Sequence, residues 1–255
     1  MGIYERFNGV ACDRMVRIHE LKIKAGHDID TKISNGNTAP LWTEKIAVIM
    51  QIEGPRIPLV EACYYRNVQA VEVLLSNGAD PNRFISGGFS PLEAAIVYGH
   101  VDESSLAIVR LLLEHGADPN KFGSESPLLF KLSTFLAAGN HDSAVTDMIL
   151  LLLEYGADNY WNGYNKVAFD IVKSCDVPLA SAYFEANRNA VNETNPSGQS
   201  LLMAALISNE NSDYTDIVNL LLQHGIDRHI TDNDGRTAYD YAIQYKLYDI
   251  AENLS

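Results

Sequence analysis

The stretch LLEHGADPN, Leu112–Asn120, recurs in altered form along this chain and decides its fold. In each copy a glycine follows the leucines within three residues, where it can adopt the left-handed conformation that ends a helix. Asp and then Pro or a polar residue come next, so the helix does not resume. Each copy therefore predicts the end of an amphipathic helix. The other copies are LLSNGADPN (Leu74–Asn82), LLEYGADNY (Leu152–Tyr160) and LLQHGIDRH (Leu221–His229).

A second pattern lies upstream of each leucine run and predicts a helix start. Ser or Thr followed by Pro is typical of such a start, because the hydroxyl caps free backbone N–H groups and Pro at the first helical position loses no hydrogen bond. Small alanines follow, where a neighbouring helix can pack closely. The stretches are IPLVEA (Ile57–Ala62), SPLEAA (Ser90–Ala95), SPLLFK (Ser126–Lys131), SLLMAA (Ser200–Ala205) and TAYDYA (Thr237–Ala242).

Each unit is thus a loop, a short helix, a turn, a second helix and a glycine stop. This arrangement resembles the ankyrin repeat, whose signature is T-P-L-H-x-A in a period near 33 residues. The resemblance implies an all-α solenoid of stacked helix–turn–helix units with finger loops, built from five units between Ile52 and His229 and a C-terminal half unit. The signature histidine is absent, which indicates a divergent member. Its place is taken by Val60, Glu93, Leu129, Asp170, Met203 and Asp240.

Two segments depart from this pattern. A degenerate unit spans Val167–Asn192, where VAFDIV starts the first helix and Arg188 replaces the stop glycine. We expect residues 1–51 to form an N-terminal cap or a divergent first repeat with an insertion, and residues 52–255 to form the array. A cap would cover the apolar end of the stack, since terminal layers need a polar outer face.

The repetition itself has a physical reason. One such unit cannot bury its own apolar face, and stacking lets each unit share a core with its neighbours. The leucine stripes are therefore predicted to be structural rather than a cofactor site. The predicted core residues are Leu74, Leu75, Leu112, Leu113, Leu152, Leu153, Leu221 and Leu222.

Composition narrows the class of partner. The chain has 19 Lys and Arg against 33 Asp and Glu, a net charge of −14. Phosphate backbones and anionic lipid surfaces repel such a protein, so we expect neither nucleic acid nor membrane as partner, and favour a protein with a basic surface. The three widely spaced cysteines predict no disulfide framework, and the N-terminus does not resemble a signal peptide. The expected location is the cytoplasm, and the free chain is expected to be a monomer.

Aromatic residues in the finger loops are the first candidate binding feature. Finger tips of the family are usually polar, and exposed aromatics are typical interface anchors. The alternative is that these rings pack on one another and stiffen the fingers, and the sequence leaves both open. The residues are Phe84, Phe89, Phe122, Tyr160, Trp161 and Tyr164, joined by Tyr64, Tyr65 and Tyr98 where the family's concave face would lie.

Acidic residues in the turns between first and second helices are the second candidate. In three units the helix start lies farther from the stop glycine than in the unit from Ile57 to Gly78. The extra residues fall in these turns, which hold several acids and no Lys or Arg. A regular stack would align them as an acidic rim facing a partner. The alternative is a set of helix-start acids that face the macrodipole. The rim residues are Asp102, Glu103, Asp142 and Asp213.

No motif of catalysis is present in the sequence. SGGFS at Ser86–Ser90 lacks the spacing and the lysine of a phosphate loop, and no His pair has metal-ligand spacing. We therefore expect no enzyme activity, no cofactor and no metal. The predicted function is that of a protein-binding module, in its sharper form an inhibitor or immunity protein that neutralises a cognate toxin. The alternative is a scaffold or secreted effector that recruits a host protein.

Overall fold

The computed structural model describes residues 57–84, 88–96, 101–123, 126–139, 142–207 and 214–254. These residues form twelve α-helices and one 3-10 helix, and the only extended pairings among them are isolated bridges. The all-α prediction is confirmed. The chain divides into two compact units between Leu128 and Leu129.

The described part of the first unit contains two helix pairs. The helices are α1 (Pro58–Tyr64), α2 (Val68–Ser76), α3 (Pro91–Ala94) and α4 (Glu103–Glu114). Helix α1 packs against both its own partner α2 and the next first helix, α3, while α2 packs against α4. This is the contact pattern of stacked helix pairs.

The second unit continues the same alternation. The helices are α5 (Leu128–Ala137), α6 (Ser143–Glu154), α7 (Lys166–Ser174), α8 (Val177–Ala186), α9 (Leu201–Ile207), α10 (Thr215–Gln223), α11 (Ala238–Gln244) and α12 (Tyr248–Leu254). The first helices of successive pairs contact one another: α7 contacts α9, and α9 contacts α11. The second helices do the same, since α8 contacts both α6 and α10.

The predicted helix starts are confirmed. Helix α1 begins at Pro58 without a side-chain cap, whereas capping boxes explain the starts at Ser90 and Thr237. The Ser90 hydroxyl accepts from the Glu93 backbone N–H, and the Glu93 carboxylate accepts from the Ser90 N–H in return. Thr237 and Asp240 form the same reciprocal capping box. Each box satisfies two backbone donors that a bare helix start would leave unpaired.

The predicted glycine stops are confirmed as well. After α4 the Gly116 N–H donates to the Leu113 carbonyl at 3.0 Å and the Ala117 N–H to Leu112 at 2.9 Å, the two bonds of a Schellman motif. The Asp118 carboxylate then accepts from the Asn120 N–H at 2.9 Å and shapes the turn. The stop glycines all have positive φ: 88° at Gly78, 87° at Gly116, 82° at Gly156 and 79° at Gly225.

The asparagine that ends the nonamer joins one repeat to the next. The Asn82 side-chain oxygen accepts from the Asp118 N–H at 2.7 Å, and its amide group donates to the Gly116 carbonyl at 2.8 Å. Asn192 accepts from the Asp227 N–H at 2.7 Å in the second unit. The nonamer therefore encodes both a helix end and a tie between layers.

Two details of the sequence prediction were wrong, and both concern the later repeats. The degenerate unit starts earlier than Val167: Asn165 caps α7 through the Ala168 N–H, so Ala168 and not Asp170 takes the signature histidine's position. Its second helix lacks a glycine stop, as predicted, and is followed by the 3-10 helix Arg188–Asn192. The C-terminal half unit is a full helix pair, α11 and α12.

The core prediction needs one refinement. Six of the eight leucines are buried, but Leu153 and Leu222 are half-buried, because each lies at the end of a leucine run that turns toward solvent. Leu151, which is not among the eight predicted core leucines, is buried. The expected cap, residues 1–51, lies outside the described residues.

Candidate protein-binding surfaces

The finger before α7 is a tight hairpin set by two residues. Asn162 and Gly163 have φ of 53° and 82°, as a two-residue type I′ turn requires, and Asn-Gly is the pair that favours it. Trp161 and Tyr164 flank the turn and exchange both backbone hydrogen bonds, at 3.0 and 3.3 Å. The hairpin fixes the direction of both rings.

Both of these rings pack onto the second unit. The Trp161 ring centroid lies 5.1 Å from that of buried Phe130, and the Tyr164 ring meets buried Phe169 edge-on at 5.7 Å. Trp161 and Tyr164 are half-buried as a result. These two rings thus pack on phenylalanines of helices rather than on other finger rings, and the structure does not test whether they bind a partner.

Tyr160, next to this hairpin, remains exposed. Half of its surface is accessible, although its hydroxyl donates to the Glu193 carboxylate. That hydrogen bond, with burial second, raises the pKa of the Tyr160 phenol. Tyr160 holds the same position in its nonamer as Asn82 holds in the first unit. Its hydrogen bond to Glu193 therefore takes the place of the asparagine hydrogen bonds that join two repeats, and its ring remains exposed.

Among the described finger residues of the first unit, one aromatic side chain is exposed. Phe89 is 43% exposed. Phe84 and Phe122 are half-buried. A side chain added to Gly123 would lie 2.9 Å from the Phe84 ring and 1.9 Å from the Gly88 carbonyl oxygen, so this finger backbone is closely covered.

The end of α1 carries the candidate tyrosines of the concave face. Tyr64 and Tyr65 contact each other edge to face, with centroids 5.1 Å apart, and both are half-buried. The adjacent Arg66 pairs with Asp102 at 2.7 Å, which ties the turn after α1 to the start of α4. Tyr98 lies outside the described residues.

Two predicted rim acids cap helices. Asp102 accepts from the Ser105 N–H at the start of α4, and Asp142 accepts from the Ala144 N–H at the start of α6. Burial raises the pKa of Asp102, but hydrogen bonds from Ser105 and the charge of Arg66 outweigh it and hold that pKa below its usual value. The helix-start alternative thus describes Asp102 and Asp142. Glu103 is exposed in the first turn of α4, and Asp213 lies outside the described residues.

A polar cluster in the second unit was missed by sequence reasoning. Buried Ser133 donates to Asp170 at 2.7 Å, and Lys166 pairs with the same carboxylate and reaches Thr134 at 2.7 Å. The i,i+4 spacing of Lys166 and Asp170 was the available signal. The cluster is satisfied internally and joins α5 to α7.

The described residues show two further absences. No group of three or more His, Cys, Asp or Glu is arranged there to hold a metal ion. Among the same residues, no helix has the length and apolar character needed to cross a bilayer.

The fold and its finger loops define a helical repeat protein. The family profile described as ankyrin repeats (3 copies) matches residues 18–122 and 167–255, about three quarters of the chain. The chain therefore belongs to the ankyrin repeat family, whose repeats are protein–protein interaction modules. The match begins at residue 18, inside the segment expected to be a cap or a divergent first repeat. No curated protein matches the chain in sequence.

Solved structures agree with this assignment. A crystallised ankyrin repeat protein is 26% identical, with 77% of this chain and 96% of that chain covered and a TM-score of 0.60. An ankyrin repeat domain from Acinetobacter baumannii is 24% identical, with 77% and 95% covered and a TM-score of 0.62. A chain of the complex between a predatory endopeptidase from Bdellovibrio bacteriovorus and an immunity protein is 22% identical, with 77% and 96% covered and a TM-score of 0.55.

Proposed function

We propose that this chain is a non-catalytic binding module that contacts its protein partner through Phe89 and Tyr160. The observation that carries the proposal is the exposure of these two rings, 43% and 50%, while the other described finger aromatics are half-buried. An exposed aromatic side chain on a fixed loop buries a large area at low entropic cost when a partner covers it.

The partner in this proposal has a basic surface. The net charge of −14 gives the chain a negative field that attracts a cationic protein and keeps copies of the chain apart. Exposed Glu103 and Asp142 at helix starts add to this field. The same charge supports a monomer as the free state.

The sharper proposal is an inhibitor that occludes the active site of a toxin enzyme. Support comes from the absence of catalytic motifs in the sequence, since a pure binding surface suffices for occlusion. Further support is that a chain from a complex between an endopeptidase and an immunity protein is among the chains of similar fold. Recruitment of a host protein by a scaffold or secreted effector is the competing function.

One experiment separates these functions. The chain is immobilised, a bound protein is captured from lysate of its own host cell and then produced pure, and its enzymatic activity is titrated with the chain. Loss of activity at one molar equivalent supports the inhibitor. Stoichiometric binding with unchanged activity would show recruitment instead, and failure to bind any protein would contradict the binding module itself.

The finger residues are tested with the captured partner. Phe89→Ala should weaken affinity by about 2 kcal/mol or more, the scale of a buried aromatic anchor, which is roughly thirtyfold in Kd. Tyr160→Ala should weaken it similarly, whereas Tyr160→Phe keeps the ring and should bind nearly as the parent does. Tyr155→Ala is the matched control, because Tyr155 is exposed at the end of α6 and outside the fingers. Equal affinities for Phe89→Ala and Tyr155→Ala would remove Phe89 from the interface.

A further inference from the structure

The finger before α7 exposes an Asn-Gly pair at its tip. Asn162 and Gly163 are both exposed, and a side chain added to Gly163 would meet no atom within 4 Å. The Gly163 N–H donates to no atom in the described part of the chain, and the Asn162 side chain makes no hydrogen bond there either. The side-chain amide and the glycine N–H of this pair therefore both face solvent.

A second Asn-Gly pair, Asn77–Gly78, is exposed but held in place. The Asn77 amide group donates to the Val73 carbonyl at 2.7 Å, and the Gly78 N–H donates to the Leu75 carbonyl at 2.9 Å. The pair forms the end of α2, so moving either group breaks a hydrogen bond of the helix stop. One chain thus holds the same dipeptide twice, with these two groups bonded after α2 and unbonded in the finger.

An Asn-Gly pair reacts with its own backbone when both groups can move. The glycine nitrogen loses its proton and attacks the side-chain carbonyl carbon of asparagine; this C–N bond closes a succinimide ring, and the side-chain amide takes up a proton and leaves as ammonia. Water then opens the ring. Breaking the bond from the side-chain carbonyl to nitrogen gives aspartate, and breaking the bond from the main-chain carbonyl to nitrogen gives isoaspartate. Nothing is oxidised or reduced, and glycine favours the closure because it has no side chain in the way.

We propose that Asn162 is a site of spontaneous deamidation, and that its isoaspartate product releases Trp161 from Phe130. Isoaspartate adds one methylene carbon to the backbone of a turn whose type I′ geometry admits only two residues. The hydrogen bonds between Trp161 and Tyr164 then lose their register, and the contact between the Trp161 and Phe130 rings, 5.1 Å apart, is lost with them. The chemistry does not depend on a partner; only its effect on binding, through Tyr160 beside the hairpin, rests on the proposed function.

Peptide mapping of the ageing chain tests the first step. The folded chain is kept in mildly alkaline buffer, and mass spectrometry of digested samples follows the exchange of –NH2 for –OH in each Asn-Gly peptide. We expect Asn162 to react at least about tenfold faster than Asn77, because two hydrogen bonds of the Asn77 pair must open first. The pairs that begin at Asn8 and Asn35 lie outside the described residues and give separate peptides.

Unfolding the chain in urea supplies the control for this step. There Asn162 and Asn77 should react at similar rates, since neither pair keeps its folded surroundings. Equal rates in the folded chain, or an Asn162 that stays intact there, would overturn the proposal. A difference that persists undiminished in urea would also overturn it, because the neighbouring residues and not the fold would then be the cause.

Tryptophan fluorescence tests the second step. The chain has two tryptophans, so Trp42→Phe leaves Trp161 as the only one. Its emission should move to longer wavelength as isoaspartate, measured with isoaspartyl methyltransferase, accumulates. In the same background Asn162→Gly is the matched control, because Gly-Gly keeps the type I′ turn and cannot deamidate, so its emission should stay constant. Unshifted emission from the isoaspartate form would overturn the release of Trp161.

A further variant, Asn162→Asp, separates the backbone change from the added charge. When freshly prepared it carries the carboxylate of the aspartate product on an unchanged backbone, and Asp also tolerates the left-handed conformation of this position. Its Trp161 emission should match that of the unaged parent. A shift already present in fresh Asn162→Asp would show that the charge releases the ring, which contradicts the proposed mechanism.

Discussion

Gly198 and Gly235 hold equivalent places in two neighbouring fingers of the second unit, and both have positive φ, 76° and 79°. Their surroundings differ. A side chain on Gly198 would lie 2.7 Å from the Asn233 side-chain oxygen and 2.9 Å from its backbone nitrogen, whereas Gly235 has no atom within 4 Å. The Asn233 N–H donates to the Ser197 carbonyl at 3.0 Å, so Gly198 lies where one finger rests on the next.

The pair separates backbone strain from finger packing. Gly235→Ala should cost roughly 1–2 kcal/mol of unfolding free energy, the cost of placing a side chain in the left-handed conformation. Gly198→Ala should cost about 1 kcal/mol more, because it also displaces Asn233 and its hydrogen bond. Urea denaturation of both variants measures the difference. Identical losses would mean that the two fingers do not pack as described.

Asp232 is a buried carboxylate that organises the last finger. It accepts hydrogen bonds from the Arg236 backbone and side chain, from the Asp234 N–H, and from the Tyr241 hydroxyl at 2.8 Å. Burial raises the pKa of Asp232, but these hydrogen bonds together outweigh it and hold the pKa at about 2.

Stability in acid should depend on this group. Its pKa in the folded chain, about 2, lies below its usual value of 3.8, so its contribution is present above pH 3.8 and lost as pH falls toward 2. Asp232→Asn should lower the melting temperature at pH 7 and flatten the decline between pH 4 and pH 2. Asp249→Asn is the control, because Asp249 is an exposed residue of α12. A parent-like acid profile for Asp232→Asn would contradict this assignment.

At the scale of elements, the Trp161 hairpin is a packing device. Trp161→Ala should lower the unfolding free energy by at least about 1 kcal/mol, because it removes the ring contact with Phe130. Phe89→Ala, which removes an exposed ring, should leave stability nearly unchanged. Thermal melts of the two variants give the comparison. If Trp161→Ala melts like the parent but loses partner affinity, Trp161 is an anchor instead.

The helices were predictable where one residue's own chemistry fixes them. The Ser90 and Thr237 caps and the stop glycines act locally, so their positions can be read from a few neighbouring letters. The start of the degenerate unit was predicted two residues too late. Asn165 caps a helix as well as Ser does, but it does not match the Ser or Thr pattern of the other helix starts. The exposure of the finger rings was not predictable from the sequence. Trp161 is partly covered by Phe130, which is distant in sequence and becomes a neighbour only after folding.

At the scale of the whole molecule, the −14 charge should set the rate of association. Neutralising the predicted rim acids (Asp102, Asp142 and Asp213 to Asn, and Glu103 to Gln) should slow association with a basic partner more than it speeds dissociation. Asn is itself a good helix cap, so α4 and α6 should keep their starts. The effect should be largest at low salt and shrink towards about 0.5 M, where the screening length is only a few ångströms. Surface-binding kinetics across salt concentrations measure it, and equal rates at low salt would reduce the rim to a solvated edge.

The proposed contact between the exposed finger aromatics and the partner can be observed in solution. Amide hydrogen–deuterium exchange of the chain alone and in its complex tests it most directly, because finger backbones exchange quickly unless something covers them. We predict slowed exchange in the peptides that contain Phe89 and Tyr160, and no change in the turn between α7 and α8 at Cys175. Unchanged exchange in both fingers of a saturated complex would contradict the account.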